Sequence, residues 1–152
     1  MLDHRTFDCS ITVEEWRLLG VEGGNVLPNG GQRLIVRIIS GTGTATVWTE
    51  LFNPIFQSRF GVTLFPGSLN LTSDHPVAWA APVLIQIDTI VAEFCPIILE
   101  EAAVGVAFRG NAHTPTLLEV LSPVNLRKRM QIGSDGGSIE VRLLPGACLN
   151  VA

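Results

Sequence analysis

Ser68 and Asn70 stand two residues apart in the stretch Phe65-Pro66-Gly67-Ser68-Leu69-Asn70-Leu71. On a strand, residues i and i+2 share a face, so a hydroxyl and an amide carbonyl lie side by side, opposite Leu69 and Leu71. Both are hard, neutral oxygen donors, the kind Mg²⁺ takes when phosphates supply the negative charge. Pro66-Gly67 before them is a tight-turn signal, because Pro fixes φ and Gly accepts positive φ. The same residues equally suit a plain β-turn with two polar outward side chains.

Three further stretches carry residue types with possible chemistry. Ser40-Gly41-Thr42-Gly43-Thr44-Ala45-Thr46 places two glycines after an apolar run. Successive amide N–H groups there can cradle an anion, although a short Gly-rich hairpin is the ordinary alternative. Ser122-Pro123-Val124-Asn125-Leu126-Arg127-Lys128-Arg129 reads as an N-cap, a Pro at N1 and a short helix over Val124 to Met130. Its cations suit phosphate or base; they equally suit the negative end of a helix macrodipole. Asp74-His75 sits in a turn with no third partner in view, so an exposed capping pair is the preferred reading over catalysis.

The elements that must position these residues are mostly strands. Leu34 to Ile39 is apolar and β-branched, and a second strand is expected over Ala45 to Glu50. Asn53-Pro54 then opens a short helix near 54–60, with Phe52, Phe56 and Phe60 on one buried face. Val83 to Val91 alternates, and Ile97 to Leu99, Val104 to Phe108, Thr116 to Leu121 and Ile139 to Leu143 are further strands. Residues 1–32 read as an N-terminal extension. In it Thr12 and Glu15 form a capping-box pattern for a helix from roughly Val13 to Leu19, followed by a Gly-rich loop. Residues 33–152 form the main domain. Many short strands with turn signals and three minor helices predict a mainly β chain, a single closed barrel.

Composition narrows the function classes. The chain has 152 residues, enough for one domain with a real core. Hydrophobic content of 47% and a mean hydropathy of +0.38 raise the question of a membrane. Yet no apolar run approaches the ~18 residues of a spanning helix; Val83 to Leu99 is broken by Gln86, Asp88, Glu93 and Pro96. A net charge of −4 argues against a nucleic-acid binder, which wants a basic face. Cys9, Cys95 and Cys148 are far apart, with no zinc spacing, and read as reduced thiols. Together these features predict a cytoplasmic protein with neither membrane nor nucleic-acid partner.

Taken in order, the motifs resemble one family, the CTP-dependent riboflavin kinases known mainly from archaea. That family carries G-x-G-E-G after its first strand, then a short helix and an L-G-F-x-P-Y-x-G-T-L-N hairpin, then E-I-I-S-P-x-N-L-R and a D-G-D-type turn. This chain has Gly41-Thr42-Gly43-Thr44-Ala45, Phe60-Gly61-Val62-Thr63-Leu64-Phe65-Pro66-Gly67-Ser68-Leu69-Asn70, Glu119-Val120-Leu121-Ser122-Pro123-Val124-Asn125-Leu126-Arg127 and Asp135-Gly136-Gly137. Order and approximate spacing match from about residue 34 to 144.

The resemblance implies a six-stranded cradle-loop β-barrel with short helices. It implies transfer of the γ-phosphoryl of CTP to the 5′-hydroxyl of riboflavin, giving FMN and CDP, with CTP and riboflavin as ligands and Mg²⁺ as cofactor. By position, Gly41, Thr42, Gly43, Thr44, Ala45 and Thr46 would line the nucleotide, joined by Val124, Asn125, Leu126, Arg127, Lys128 and Arg129. Ser68 and Asn70 would hold Mg²⁺, Ser68 standing where the family has threonine. Asn111 and Glu119 would lie at the flavin. The chain departs from the family at Thr44 and Ala45, which replace a glutamate and a glycine. It departs again in a shorter segment between Asn70 and Glu119, and in its extra N-terminal residues. A barrel that has lost turnover and only binds a ligand or partner is the alternative reading.

Overall fold

The computed structural model describes residues 11–21, 30–41, 45–110, 114–133 and 136–149. Seven strands form one antiparallel sheet: β1 (Gln32–Ile39), β2 (Leu69–Thr72), β3 (Val83–Ile87), β4 (Ile90–Leu99), β5 (Ala103–Arg109), β6 (Leu117–Leu121) and β7 (Ser138–Leu143). Their order is β3-β4-β5-β6-β2-β1-β7, and a further β4–β7 pairing closes the sheet on itself. The closed barrel therefore has six strands, and β3 extends it as a hairpin with β4. One edge of β4 serves both neighbours: Ala92 and Phe94 pair with β3, Ile97 and Leu99 with β7. Pro96 stands at the changeover, and its carbonyl accepts from Leu144 N–H at 2.9 Å. Its missing N–H therefore faces the gap between β3 and β7, where no ladder bond is lost.

Strand alternation divides the apolar residues between two sides of the barrel wall. Val36, Ile38, Leu69, Leu71, Ile97, Val120 and Val141 fill the interior. On the outer face, Phe94, Val106 and Phe108 pack under helix α2 (Ala45–Phe60), which contributes Phe52, Phe56 and Phe60. Helix α1 (Val13–Leu18) covers Ile98 and Val104 with Trp16 and its neighbour Leu19. It carries the expected capping box: Thr12 Oγ1 accepts from Glu15 N–H, and the Glu15 carboxylate accepts from Thr12 N–H.

Helix α2 corrects the sequence reading. Residues 45–50 are not a strand, and Asn53-Pro54 does not open a helix; one 16-residue helix runs through both, with Pro54 inside it. An interior Pro costs about 3 kcal/mol, but three buried Phe rings at about 1.5–3 kcal/mol each outweigh it. That burial also overrides the β propensity of Thr46, Val47 and Thr49. Asn53 works away from the helix start: its Oδ1 accepts from Leu64 N–H at 2.7 Å, tying α2 to the segment that leads into the Pro-Gly turn.

Two smaller corrections apply. Val83 to Val91 is not one strand but a hairpin, turning at Asp88 and Thr89, with Asp88 at φ +53°. Helix α3 is only Leu126–Arg129, and its N-cap is Asn125, whose side chain accepts from Lys128 N–H at 3.2 Å. Ser122 is no helix cap; it donates to Val104 C=O at 2.9 Å and accepts from Val124 N–H, pinning the loop before α3 to β5.

Candidate functional site

The Pro-Gly turn sits beside the loop that opens α3. Gly67 takes φ +120°, which only glycine adopts without strain. Phe65 N–H donates to Ser122 C=O at 2.8 Å, so turn and loop are joined by a backbone bond. Between them lies a cleft of about 240 Å³. Residues 65–69 form one wall; Val120, Ser122 and residues 124–127 form the other. Two stretches some 55 residues apart in sequence thus share one cavity.

Ser68 belongs to this cleft and to a second contact. Its hydroxyl donates to Asn70 Oδ1 at 3.3 Å, so the two side-chain oxygens converge as strand alternation requires. Asn70 is 8% exposed. On β2 it pairs with Ile39 of β1 on one side and Glu119 of β6 on the other. Directly opposed residues share a face, so Asn70 and Glu119 project from the same side of the wall. Gly41 lies against the Asn70 amide: a Cβ there would come 2.2 Å from Nδ2.

Glu119 is half-buried, and loss of water around it pushes its carboxyl above the usual 4.5. Among the described residues no cation forms a salt bridge with it. This desolvated acid stands directly opposite Asn70 on the neighbouring strand.

The sequence-predicted residues separate clearly. Gly41, Ser68, Asn70 and Glu119 adjoin one another, and of these Ser68 alone shares the cleft with residues 124–127. Leu126 contributes to it only from the barrel core, where its side chain is buried. Lys128 is exposed. Arg129 turns elsewhere: its Nη2 donates to Glu15 Oε1 at 2.8 Å. Thr46 is exposed on the first turn of α2, and Ala45 opens that helix. Thr42, Gly43, Thr44 and Asn111 lie outside the described residues.

Sequence reasoning missed Phe65 and Ser122 as walls of the cleft. The signal is present, since both lie inside the two motifs, but Ser122 reads on paper as a helix cap.

The donors fit a magnesium ion that arrives with phosphates. Neighbouring ligands of an octahedral Mg²⁺ stand about 2.9 Å apart, given bonds of about 2.0–2.1 Å. The 3.3 Å between Ser68 Oγ and Asn70 Oδ1 lies near that spacing. Both donors are neutral, and the described residues hold no cluster of three or more His, Cys, Asp or Glu able to bind a resident metal. Among the described residues no helix is long and apolar enough to cross a membrane. No protein-family model matches the chain, and no curated protein is significantly similar to it.

Proposed function

We propose that this chain is a Mg²⁺-dependent phosphotransferase of the CTP-dependent riboflavin kinase type, moving the γ-phosphoryl of CTP to the 5′-hydroxyl of riboflavin in the cytoplasm. The observation that carries the reading is the shared cleft. Residues 65–69 and residues 120, 122 and 124–127 are its two walls, and Ser68 in the first wall is hydrogen-bonded to Asn70 beyond it. Phosphoryl transfer needs positioning and charge neutralisation more than a reactive side chain. Gly41 leads toward the N-terminus of α2, where N–H groups and the helix dipole favour phosphate. Arg127 adds a cation at the cleft. Ser68 and Asn70 would hold Mg²⁺, which supplies charge neutralisation for the nucleotide phosphates. Glu119 faces the acceptor side.

A second reading, a ligand-binding barrel without turnover, has its own support. Thr44 and Ala45 replace the family's loop glutamate and glycine, and Arg129 is committed to Glu15. Incubation with CTP, Mg²⁺ and riboflavin decides between them. FMN formation supports the kinase. Absence of transfer across several nucleotides and acceptors, with nucleotide binding retained, supports the binding barrel.

A further inference from the structure

We infer that the free edge of β3 pairs with the same edge of a second copy of this chain, antiparallel about a two-fold axis at Ile85. The inference stands apart from the nucleotide reading. Among the described residues β3 has one strand neighbour, β4. The two join through a two-residue turn at Asp88-Thr89, so Ile87 and Ile90 flank it as a hydrogen-bonded pair. Bonded and non-bonded pairs then alternate along the ladder. Val83, Ile85 and Ile87 bond to β4, while Leu84 and Gln86 turn their main-chain N–H and C=O groups the other way. No partner for those groups stands among the described residues. The strand is already held in place for pairing. Ile85 is buried in the cluster under α2, and Val83 and Ile87 pack against that cluster. Gly146 N–H ties the approach to the strand, donating to Ala80 C=O at 3.2 Å.

The edge is complementary to itself. Its open groups sit on residues 84 and 86, one on each side of Ile85. A two-fold axis there sets Leu84 of one copy opposite Gln86 of the other, and the reverse, and each pair exchanges both main-chain bonds. Every open group of the strand is then satisfied. Charge agrees with this occupant. Val83-Leu84-Ile85-Gln86-Ile87 holds no charged residue, so two copies meet without repulsion. The same register sets Asp88 opposite Pro82, far from the second Asp88. The strand also lacks the lysine, proline or bulge by which exposed edges commonly discourage pairing. Leu84 is 59% exposed on the outer face. In the pair it lies diagonal to Leu84 of the second copy, within side-chain reach. Strand addition along five residues makes a small interface, below about 1,200 Å² in total, the class of reversible association.

Sedimentation of the full chain over a series from micromolar to millimolar protein tests this. The unmutated chain should show a monomer–dimer equilibrium. Gln86→Pro removes an N–H that β4 does not use, where an edge strand tolerates proline, and deletes one bond from each pair. Leu84→Lys sets two like charges diagonally across the axis. Each should raise the Kd of the dimer about tenfold or more, with circular dichroism unchanged. Leu84→Glu should do the same alone, and an equimolar mixture of the two Leu84 variants should associate more tightly than either by itself. If Gln86→Pro fails to fold, the Leu84 variants, altered only at an exposed side chain, still decide. A monomer at every concentration overturns the inference. So does a dimer whose Kd neither position alters, since it would lie on another face. A mixture no tighter than its components removes the two-fold register. Assembly beyond a dimer also overturns the inference, because a two-fold edge pairing closes.

Discussion

Arg129 donates to Glu15 at 2.8 Å across 114 residues of chain, and the Glu15 side chain is wholly buried. The carboxylate also accepts from Thr12 N–H at 2.8 Å and from Val104 N–H at 3.2 Å. One acid thus caps α1, satisfies a strand amide of β5 and anchors the end of α3, whose opposite end lines the cleft. Removing it takes the carboxylate from Arg129 and leaves the buried Val104 amide without its acceptor. Glu15→Ala is expected to cost about 3–5 kcal/mol in urea unfolding. A loss below about 1 kcal/mol would mean that water replaces the carboxylate and that the network is not what holds α1.

Glu119 makes stability depend on pH in a predictable direction. Burial raises its carboxyl in the folded chain above the unfolded value near 4.5. The folded state therefore prefers the protonated form. Its favourable contribution is fully present below the unfolded value and is lost as pH rises through the folded one. Glu119→Gln lacks this titration. The Gln variant should gain stability relative to the unmutated chain as pH rises from about 4.5, then hold a constant advantage. Melting temperatures across that range measure it, and an advantage that shrinks with rising pH contradicts the assignment.

The barrel was legible because its strands alternate and their turns carry Gly, Pro, Asn or Asp. Leu69 with Leu71 shows on paper the face it buries; Leu34 to Ile39 does not, since Ile35 is as apolar as Val36 yet 66% exposed. Helix α2 was not legible at its start. Thr46-Ala45-type composition and Asn53-Pro54 each point locally to a strand or a helix beginning, and only the buried Phe stripe, a tertiary effect, decides otherwise. The Ser68–Asn70 pairing followed from period 2 alone. The link between residues 65–69 and 122–127 did not, because a backbone bond such as Phe65 to Ser122 leaves no mark on either side chain. The Glu15–Arg129 pair was equally hidden: the capping box explained Glu15, and the helix end explained Arg129.

Gly41 predicts a coupled pair of mutations. A Cβ at position 41 would lie 2.2 Å from Asn70 Nδ2, a contact that forces the amide to move. The amide is the end of a short side chain, so it swings and loses its bond from Ser68 at modest cost, about 1 kcal/mol. Asn70→Ala removes the obstacle. In a double-mutant cycle, Gly41→Ala should therefore cost less on the Asn70→Ala background than alone. Additive costs would show that Gly41 and Asn70 do not press on each other.

Ser68→Ala and Asn70→Ala test the proposed chemistry most directly. Ser68 is partly exposed, and Asn70 projects from the outer face of β2, away from Leu69 and Leu71 in the barrel core. Neither truncation opens a cavity in the apolar interior, so circular dichroism and unfolding should change little. Each removes one of two neutral oxygens that converge within 3.3 Å. With no carboxylate of their own, these donors bind Mg²⁺ weakly until nucleotide phosphates add charge. The expected result is a loss of Mg²⁺-dependent transfer on the order of 10²-fold or more in either variant, the scale seen when one preorganised group that stabilises transition-state charge is removed. Asn70→Asp adds a charge at the same point and should bind Mg²⁺ without nucleotide, detectable by calorimetry with the metal alone. Full transfer in both alanine variants would place the metal elsewhere. Loss of transfer together with loss of the native spectrum in Asn70→Ala, but not in Ser68→Ala, would make Asn70 a structural residue held by Gly41 and leave Ser68 alone at the site.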